Sequence, residues 1–255
     1  MPESLQKFRR TYLITGAAHR IGQALARGFA SQANAIVIHY NSSQASAQEL
    51  AREINKTGVK SFTVAADLAS PDQAEKLLSQ AWQTAGPIDV LINNASIFEQ
   101  GRLAEISIDD INRNMMINAL APLLLSRSFV ELNKSRQPSL RPVIVNFLDS
   151  RITDYDRQHA AYHLAKRALF TLTKMMALEF APGVRVNAVA PGLILPPSGK
   201  DRSYLEQLKS SNPLNSIGEV DQIVDAVRFL INNEYVTGQV IFVDGGRHLL
   251  SNTYG

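Results

Sequence analysis

Tyr162 and Lys166 stand four residues apart in QHAAYHLAKRALFTLTKMMALEF, a run with strong helical patterning, so the two side chains share a helix face. A free phenol titrates near ~10, and an adjacent ammonium is expected to lower that value toward the range useful for general acid-base work. Such a pair can hand a proton to a group that receives hydride from elsewhere. The spacing alone is a weak signal, because Tyr-x-x-x-Lys also occurs on ordinary exposed helix faces. The chain has no cysteine, which excludes disulfides, thiolate metal sites and a cysteine nucleophile, so a redox agent has to be borrowed.

A second group of residues lies near the N-terminus. Thr15-Gly16-Ala17-Ala18-His19-Arg20-Ile21-Gly22 follows the apolar run TYLIT and opens into GQALARGFASQ. A strand-to-helix turn of this kind aims backbone N–H groups and a helix N-terminus at a pyrophosphate. Arg20 occupies a position where a dinucleotide fingerprint often has glycine, which places a cation at the phosphate loop. About twenty residues past the turn, an acid would serve the ribose hydroxyls of NAD, but the string there is His39-Tyr40-Asn41-Ser42-Ser43, with no carboxylate before Glu49. The hydroxyl and amide groups of Tyr40, Asn41, Ser42 and Ser43, with Arg20, fit the 2′-phosphate of NADPH better. Ser42 or Ser43 also suits a helix N-cap. Asp67 in VAADL can accept from an adenine amino group or simply end a strand, and Asn93-Asn94-Ala95-Ser96 closes another strand with residues that allow close backbone approach.

These motifs need a frame. TYLIT, AIVIHY, SFTVAA, VLIN, PVIVNF, VRVNAVA and QVIFVD read as strands alternating with amphipathic stretches, the pattern of a parallel sheet covered on both faces. Several runs are apolar throughout, as strands buried on both sides should be. Ser70-Pro71 with Gln73 combines a capping-box pattern and an N-terminal proline, which starts the third crossover helix. The 255 residues, 45% hydrophobic and 19% charged, are expected to form one α/β domain. The 26 basic and 23 acidic residues leave too small an excess for nucleic-acid binding and suit a small anionic ligand. MPESLQKFRR lacks the core of a signal peptide, and no apolar run approaches a membrane span of ~18 residues. A soluble, cytoplasmic protein is expected. PPSGKDRSYLEQLKSSN, residues 196–212, reads as an insertion and a substrate lid. His159 and His163 sit at i, i+4 without a following glutamate, so the expectation is a solvated helix face and no metal site.

TGAAHRIG, Asp67, NNAS, Asn118 in MINALAP, Tyr162 with Lys166, Pro191-Gly192 and the late VDGG jointly resemble the short-chain dehydrogenase/reductase family across nearly the whole chain. The resemblance implies a Rossmann-type, doubly wound, seven-stranded parallel sheet in one domain, and a homotetramer. It implies cofactor contacts from Gly16, Arg20, Ile21, Gly22, Leu68, Asn94, Ala95 and Ser96 as well as the residues above. Lys166 would hold the nicotinamide ribose, Asn118 a proton-relay water, and Pro191, Gly192 and Leu193 would line the nicotinamide.

One departure is informative. Thirteen residues before Tyr162, where the family usually has serine, stands Asp149 in NFLDSR. A serine hydroxyl donates to a ketone oxygen as it becomes an oxyanion, whereas an ionised carboxylate repels it. A carboxylate instead stabilises a protonated C=N group and helps deliver a proton to nitrogen. Asp149, Tyr162, Arg20, HYNSS, Phe98 in NNASIF and the ending DGGRHLL are together similar to the pteridine reductase branch, including dihydromonapterin reductases. In that branch Phe98 would stack a pterin on the nicotinamide, with Arg20, Ser96, Asp149 and Tyr162 also meeting substrate. Pro196 replaces a threonine often found after Pro-Gly, which removes one carboxamide contact. The expected activity is NADPH-dependent reduction of a dihydropterin such as dihydromonapterin or dihydrobiopterin, with dihydrofolate as a possible substrate. A 3-oxoacyl-carrier-protein or other carbonyl reductase using Ser150, and a non-enzymatic NADPH-sensing scaffold, remain as alternatives.

Overall fold

The computed structural model describes residues 9–155, 157–197 and 199–250. Seven strands, β1 (Arg10–Ile14), β2 (Ala33–Tyr40), β3 (Lys60–Ala65), β4 (Val90–Asn93), β5 (Val143–Phe147), β6 (Arg185–Pro191) and β7 (Val240–Val243), form one sheet in the order β3-β2-β1-β4-β5-β6-β7. All paired strands are parallel. The expected doubly wound fold is therefore present. Because β1 pairs with both β2 and β4, the chain order reverses beside β1, and a crevice opens at the C-terminal strand ends there.

Alternating side chains divide the core between the two faces. Tyr12, Ile14, Val90, Ile92, Val143 and Val145 point to one layer, with helices α1 (Arg20–Ala30), α2 (Gln44–Asn55) and α8 (Val220–Asn232). Leu13, Leu91 and Ile144 point to the other, with α3 (Pro71–Ala85), α5 (Ala121–Asn133) and the end of α6 (Ala160–Glu179). Both faces are covered, which is why the strands read as continuous apolar runs. Each fully buried Leu or Ile contributes about 1.5–3 kcal/mol.

The start of α3 follows the sequence in part. Pro71 sits in the first turn and Ser70 accepts from the Gln73 N–H. The Gln73 carboxamide does not reciprocate; it accepts from the Asp67 N–H at 2.8 Å and so braces the end of β3 instead. Between α4 (Ile108–Met115) and α5 the chain makes one π turn, Met116–Leu120. The run Ile108–Asn133 is long and apolar enough to cross a membrane by length and composition, contrary to the expectation that no such run exists. It behaves as a core helix: Leu125 and Phe129 are fully buried, and Ser126 and Asn133 are buried in hydrogen bonds to Pro122, Phe129 and Ile88 carbonyls.

Residues 196–212 contain α7 (Arg202–Leu208) and a 3₁₀ turn (Lys209–Ser211), with Ser198 outside the described residues. Leu205 buries one face of α7, and the Asn212 amide donates to the Lys209 and Ser216 carbonyls, so the far end of the segment is anchored.

Candidate active site

Parallel strands end on the same edge, and the Gly16–Gly22 turn, Asn41, Asp67, Asn94–Ser96, Asp149 and Pro191–Gly192 lie at those ends, with Tyr162 and Lys166 brought up by α6. They enclose a cleft of about 530 Å³ that runs from Gly16 to Asp149, Tyr162 and Pro191.

At one end of the cleft the backbone dominates. Gly16 has φ of +61°, and a Cβ there would lie 2.9 Å from the Ala95 Cα. A Cβ on Gly22 would meet the Gly16 oxygen at 2.5 Å and the Asn94 Nδ2 at 2.6 Å. Both glycines are thus required by close approach. Asn94 Nδ2 donates to the Thr15 and Gly16 carbonyls, and the Thr15 hydroxyl accepts from the Asn94 and Ala95 N–H groups. His19, at the N-cap of α1, makes no side-chain cap, so the first-turn N–H groups face the cleft without one. Arg20 opens the helix at φ +57°, exposed on the cleft wall, where Ile21 joins it.

His39 was not singled out by the sequence reading. Its Nδ1 accepts from the Gly16 N–H at 3.0 Å, which places the ring proton on Nε2, donating to the Ala66 carbonyl at 3.0 Å. Burial pushes its pKa down to about 4, against the Ala66 carbonyl and Asp67, so the imidazole is neutral at physiological pH. It ties the glycine turn to the ends of β2 and β3. Of the following string, Asn41 lines the cleft; Tyr40 is half-buried against the core, and Tyr40, Ser42 and Ser43 are not among the lining residues. Ser43 holds the N-cap position of α2 but makes no side-chain cap bond, contrary to the capping expectation. Asp67 and Leu68 line the wall, and the Asp67 carboxylate accepts from the Ala69 N–H.

At the other end the site is built from buried side chains on α6 and the β5 terminus. Asn93 Nδ2 donates to Asn146 Oδ1 at 2.8 Å, Asn146 Nδ2 to Thr173 Oγ1 at 2.9 Å, and Thr173 Oγ1 to the Leu169 carbonyl. This buried ladder ties β4 and β5 to α6 and sets the rotation of the helix. Two turns before Thr173 on the same helix, Lys166 Nζ donates to the Phe147 carbonyl at 2.7 Å. Asp149 heads a 3₁₀ turn, Ser150–Thr153; its Oδ1 accepts from the Arg151 N–H at 2.7 Å and its Oδ2 from the Tyr162 hydroxyl at 2.9 Å.

That pairing corrects the expected electrostatics. The Tyr162 pKa is raised well above its ordinary value, first by burial and then by the charge and hydrogen bond of Asp149, with Arg151 opposing. Lys166 does not lower it: the ammonium bonds a carbonyl and lies 5.6 Å from the phenol ring centre. Lys166 is itself pushed down to about 8 by burial, with Asp149 opposing. Tyr162 therefore holds its proton firmly, in the form of a donor.

Asn118 sits beside the 96–97 loop. Fully buried in the π turn, its Oδ1 accepts from the Ile97 N–H and Ser96 hydroxyl, and its Nδ2 donates to the Ile97 and Asn114 oxygens. These four bonds take up the side chain's hydrogen-bonding capacity in holding the 96–97 loop. Pro191 and Gly192 line the cleft; Leu193 is not among the lining residues, and its carbonyl accepts from the Gly218 N–H at 2.9 Å. Gly192 packs so closely that a Cβ would meet the Asp244 Cα at 2.6 Å.

Phe98 and Ser96 line the Asp149 end of the cleft, with the Phe98 and Tyr162 rings in a T-shaped contact, 4.7 Å between centres and 82° between planes. Arg113, also absent from the sequence reading, lines the same wall and pairs with Glu99. The solvated-face expectation fails for both α6 histidines: His163 is buried and contacts Arg151, and His159 stacks on Phe98. Among the described residues no cluster of histidine, aspartate and glutamate could hold a metal ion.

A family profile described as enoyl-(acyl carrier protein) reductase matches residues 16–248. The chain belongs to the short-chain dehydrogenase/reductase family. Glucose 1-dehydrogenase 2 of Bacillus subtilis is 29% identical over 248 residues, covering 94% of this chain and 95% of that protein. FolM alternative dihydrofolate reductase 1 from Brucella canis, solved with NADP, superposes with a TM-score of 0.86 at 33% identity, covering 94% of each chain. The angucycline C-6 ketoreductase LanV, also with bound NADP, gives a TM-score of 0.84 at 26% identity over 94% of this chain and 96% of that one. These short-chain reductases and dehydrogenases carry names for three different substrates on one fold. Membership makes this chain an oxidoreductase and leaves the substrate to the local chemistry.

Proposed function

We propose that this oxidoreductase uses NADPH to reduce a dihydropterin, placing hydride on the carbon of a C=N bond and a proton on its nitrogen. The observation that carries the reading is the hydrogen bond from the Tyr162 hydroxyl to Asp149 at the substrate end of the cleft.

The residues suit the cofactor. The tight Gly16 and Gly22 contacts, the first turn of α1 without a side-chain cap and the Arg20 cation fit a pyrophosphate. Asn41, with the neighbouring Ser42 and Ser43 hydroxyls and no carboxylate in the string before Glu49, fits a 2′-phosphate. The NADP carried by both solved neighbours supports the same choice. NADPH supplies the hydride. Pro191 and Gly192 offer a wall for the nicotinamide, and Lys166 a cation for its ribose.

Tyr162 keeps its proton until a base stronger than Asp149 arrives. A C=N nitrogen that gains electron density on hydride transfer is such a base, and Tyr162 or a proton routed through Asp149 reaches it. The Asp149 carboxylate favours positive charge on that nitrogen. Arg20 and Ser96 offer polar contacts to the pterin, Phe98 an aromatic face, and the 196–212 segment a cover whose sequence would select the pterin side chain. A cytoplasmic homotetramer belongs to the same reading; light scattering that gives a monomer at assay concentration contradicts the assembly.

The test is NADPH consumption with dihydrobiopterin, dihydromonapterin and dihydrofolate against a panel of ketones. Turnover with at least one pterin is expected, and none rejects the proposal. Ketone reduction is the second reading, favoured by the likeness to LanV. It needs a hydroxyl beside Tyr162, and Ser150 is buried and absent from the cleft lining. Asp149→Ser should abolish pterin reduction and raise ketone reduction; the reverse favours the ketone reading.

A further inference from the structure

Phe98 is the aromatic surface of the cleft, yet it sits on a loop, and a loop is a poor base for a stacking platform. What fixes it is on the far side of the ring. The His159 imidazole lies parallel to Phe98, with ring centres 3.9 Å apart and 14° between the planes. Phe98 lines the cleft and His159 is not among the lining residues, so the imidazole backs the ring from outside the cleft. Phe98 is 43% exposed.

The backbone holds the same arrangement. The Gly101 N–H donates to the Gln158 carbonyl at 2.7 Å and the Ala160 N–H to the Gly101 carbonyl at 3.0 Å, so the loop after Phe98 is laced to the first residues of α6. Gly101 has no room for a side chain there, since a Cβ would meet the Ile106 Cγ2 at 2.2 Å. His159 is three residues from Tyr162 on the same segment. The platform and the proton donor are therefore mounted on one element.

We propose that His159 is a positioning residue for a flat, π-conjugated substrate, acting through Phe98. The imidazole backs the ring, holds its plane toward the cleft, and keeps it edge-on to the Tyr162 phenol. The proposal rests on the dihydropterin reading and sharpens it: the ligand face is the outermost layer of a stack whose inner layers are Phe98 and His159. Aromatic pairs contribute beyond their buried area, so the loss should appear in substrate binding and leave the cofactor end untouched.

The experiment compares wild type, Phe98→Ala, His159→Leu and His159→Phe in steady-state assays with NADPH and a dihydropterin. His159→Leu fills the space without a π face and is expected to raise KM for the pterin about 3- to 10-fold, with KM for NADPH within twofold of wild type. His159→Phe restores the stack and should return the pterin KM to within about twofold. A pterin KM unchanged in His159→Leu but raised in Phe98→Ala overturns the role of His159 and leaves the dihydropterin reading standing. An equal loss of NADPH and pterin binding in both His159 variants, with a lowered melting temperature, shows a purely structural residue and also overturns it. No pterin turnover by wild type removes the dihydropterin reading, and this proposal with it.

Discussion

The two ends of the cleft solve recognition in opposite ways. The Gly16 end offers N–H groups, carbonyls and a neutral imidazole, with Arg20 as an exposed cation. The Asp149 end gathers ionisable side chains, with Tyr162 and Lys166 both buried, and uses that burial to set their proton affinities. Backbone geometry recognises a ligand without changing its charge state. Titratable groups out of water trade stability for chemistry. Damage at the first end should therefore appear as lost cofactor affinity, and damage at the second as lost turnover or a moved pH profile.

Tyr162→Phe tests this contrast most severely. Removing the donor should lower kcat by about 10²- to 10⁴-fold while NADPH affinity, measured by titration calorimetry, stays within a few-fold. A parallel collapse of binding would mean that the two ends are not separable. Gly22→Ala is the converse, because its Cβ would press on the Gly16 oxygen and the Asn94 amide. Overpacking of ~1–3 kcal/mol predicts NADPH affinity weaker by about 5- to 100-fold, with kcat at saturating NADPH close to wild type.

The pH profile should show the third effect. Lys166 titrates at about 8, below its ordinary 10.5, so its ammonium is present under that pH and lost above it. The kcat/KM for NADPH, which reports groups of the free enzyme, should fall about fivefold over the first unit above the midpoint and approach tenfold per unit beyond it. A profile flat to pH 10 would show that Lys166 stays charged. The smallest effect is expected at the 2′-phosphate: Ser43→Asp should reduce the preference for NADPH over NADH by about 5- to 10-fold, read from the ratio of kcat/KM values. An unchanged ratio would move the phosphate away from the start of α2.

The same contrast explains what the sequence disclosed. Strand runs such as VLIN and PVIVNF were legible because burial on both faces leaves an apolar string, and the parallel order followed from their alternation with helices. Asp149 was legible as a departure from a familiar spacing, and it does meet Tyr162. His39 was not, because its role depends on which carbonyl and which N–H the fold brings to its two nitrogens. The histidines of α6 were misjudged for a related reason. An i, i+4 pair of polar residues suggests a wet face, but the 98–101 loop and the 3₁₀ turn after Asp149 cover that side of the helix. Tyr162 shows the limit most clearly: the sequence placed Asp149 near it but gave Lys166 the control of its proton affinity, which burial and Asp149 set instead.

The π turn at Met116–Leu120 has a consequence for how this gene can change. Such a turn takes up one residue more than a turn of α-helix, and each helical residue advances the chain by about 100°. The extra residue lets Asn118 face the 96–97 loop while Leu125 and Phe129, further along, still face the core. Deleting any one residue here would let the run wind evenly and turn one of those faces to the wrong side. Substitution of the exposed Leu120 should be tolerated, whereas loss of Asn118 or a single-codon deletion anywhere in MINAL should not.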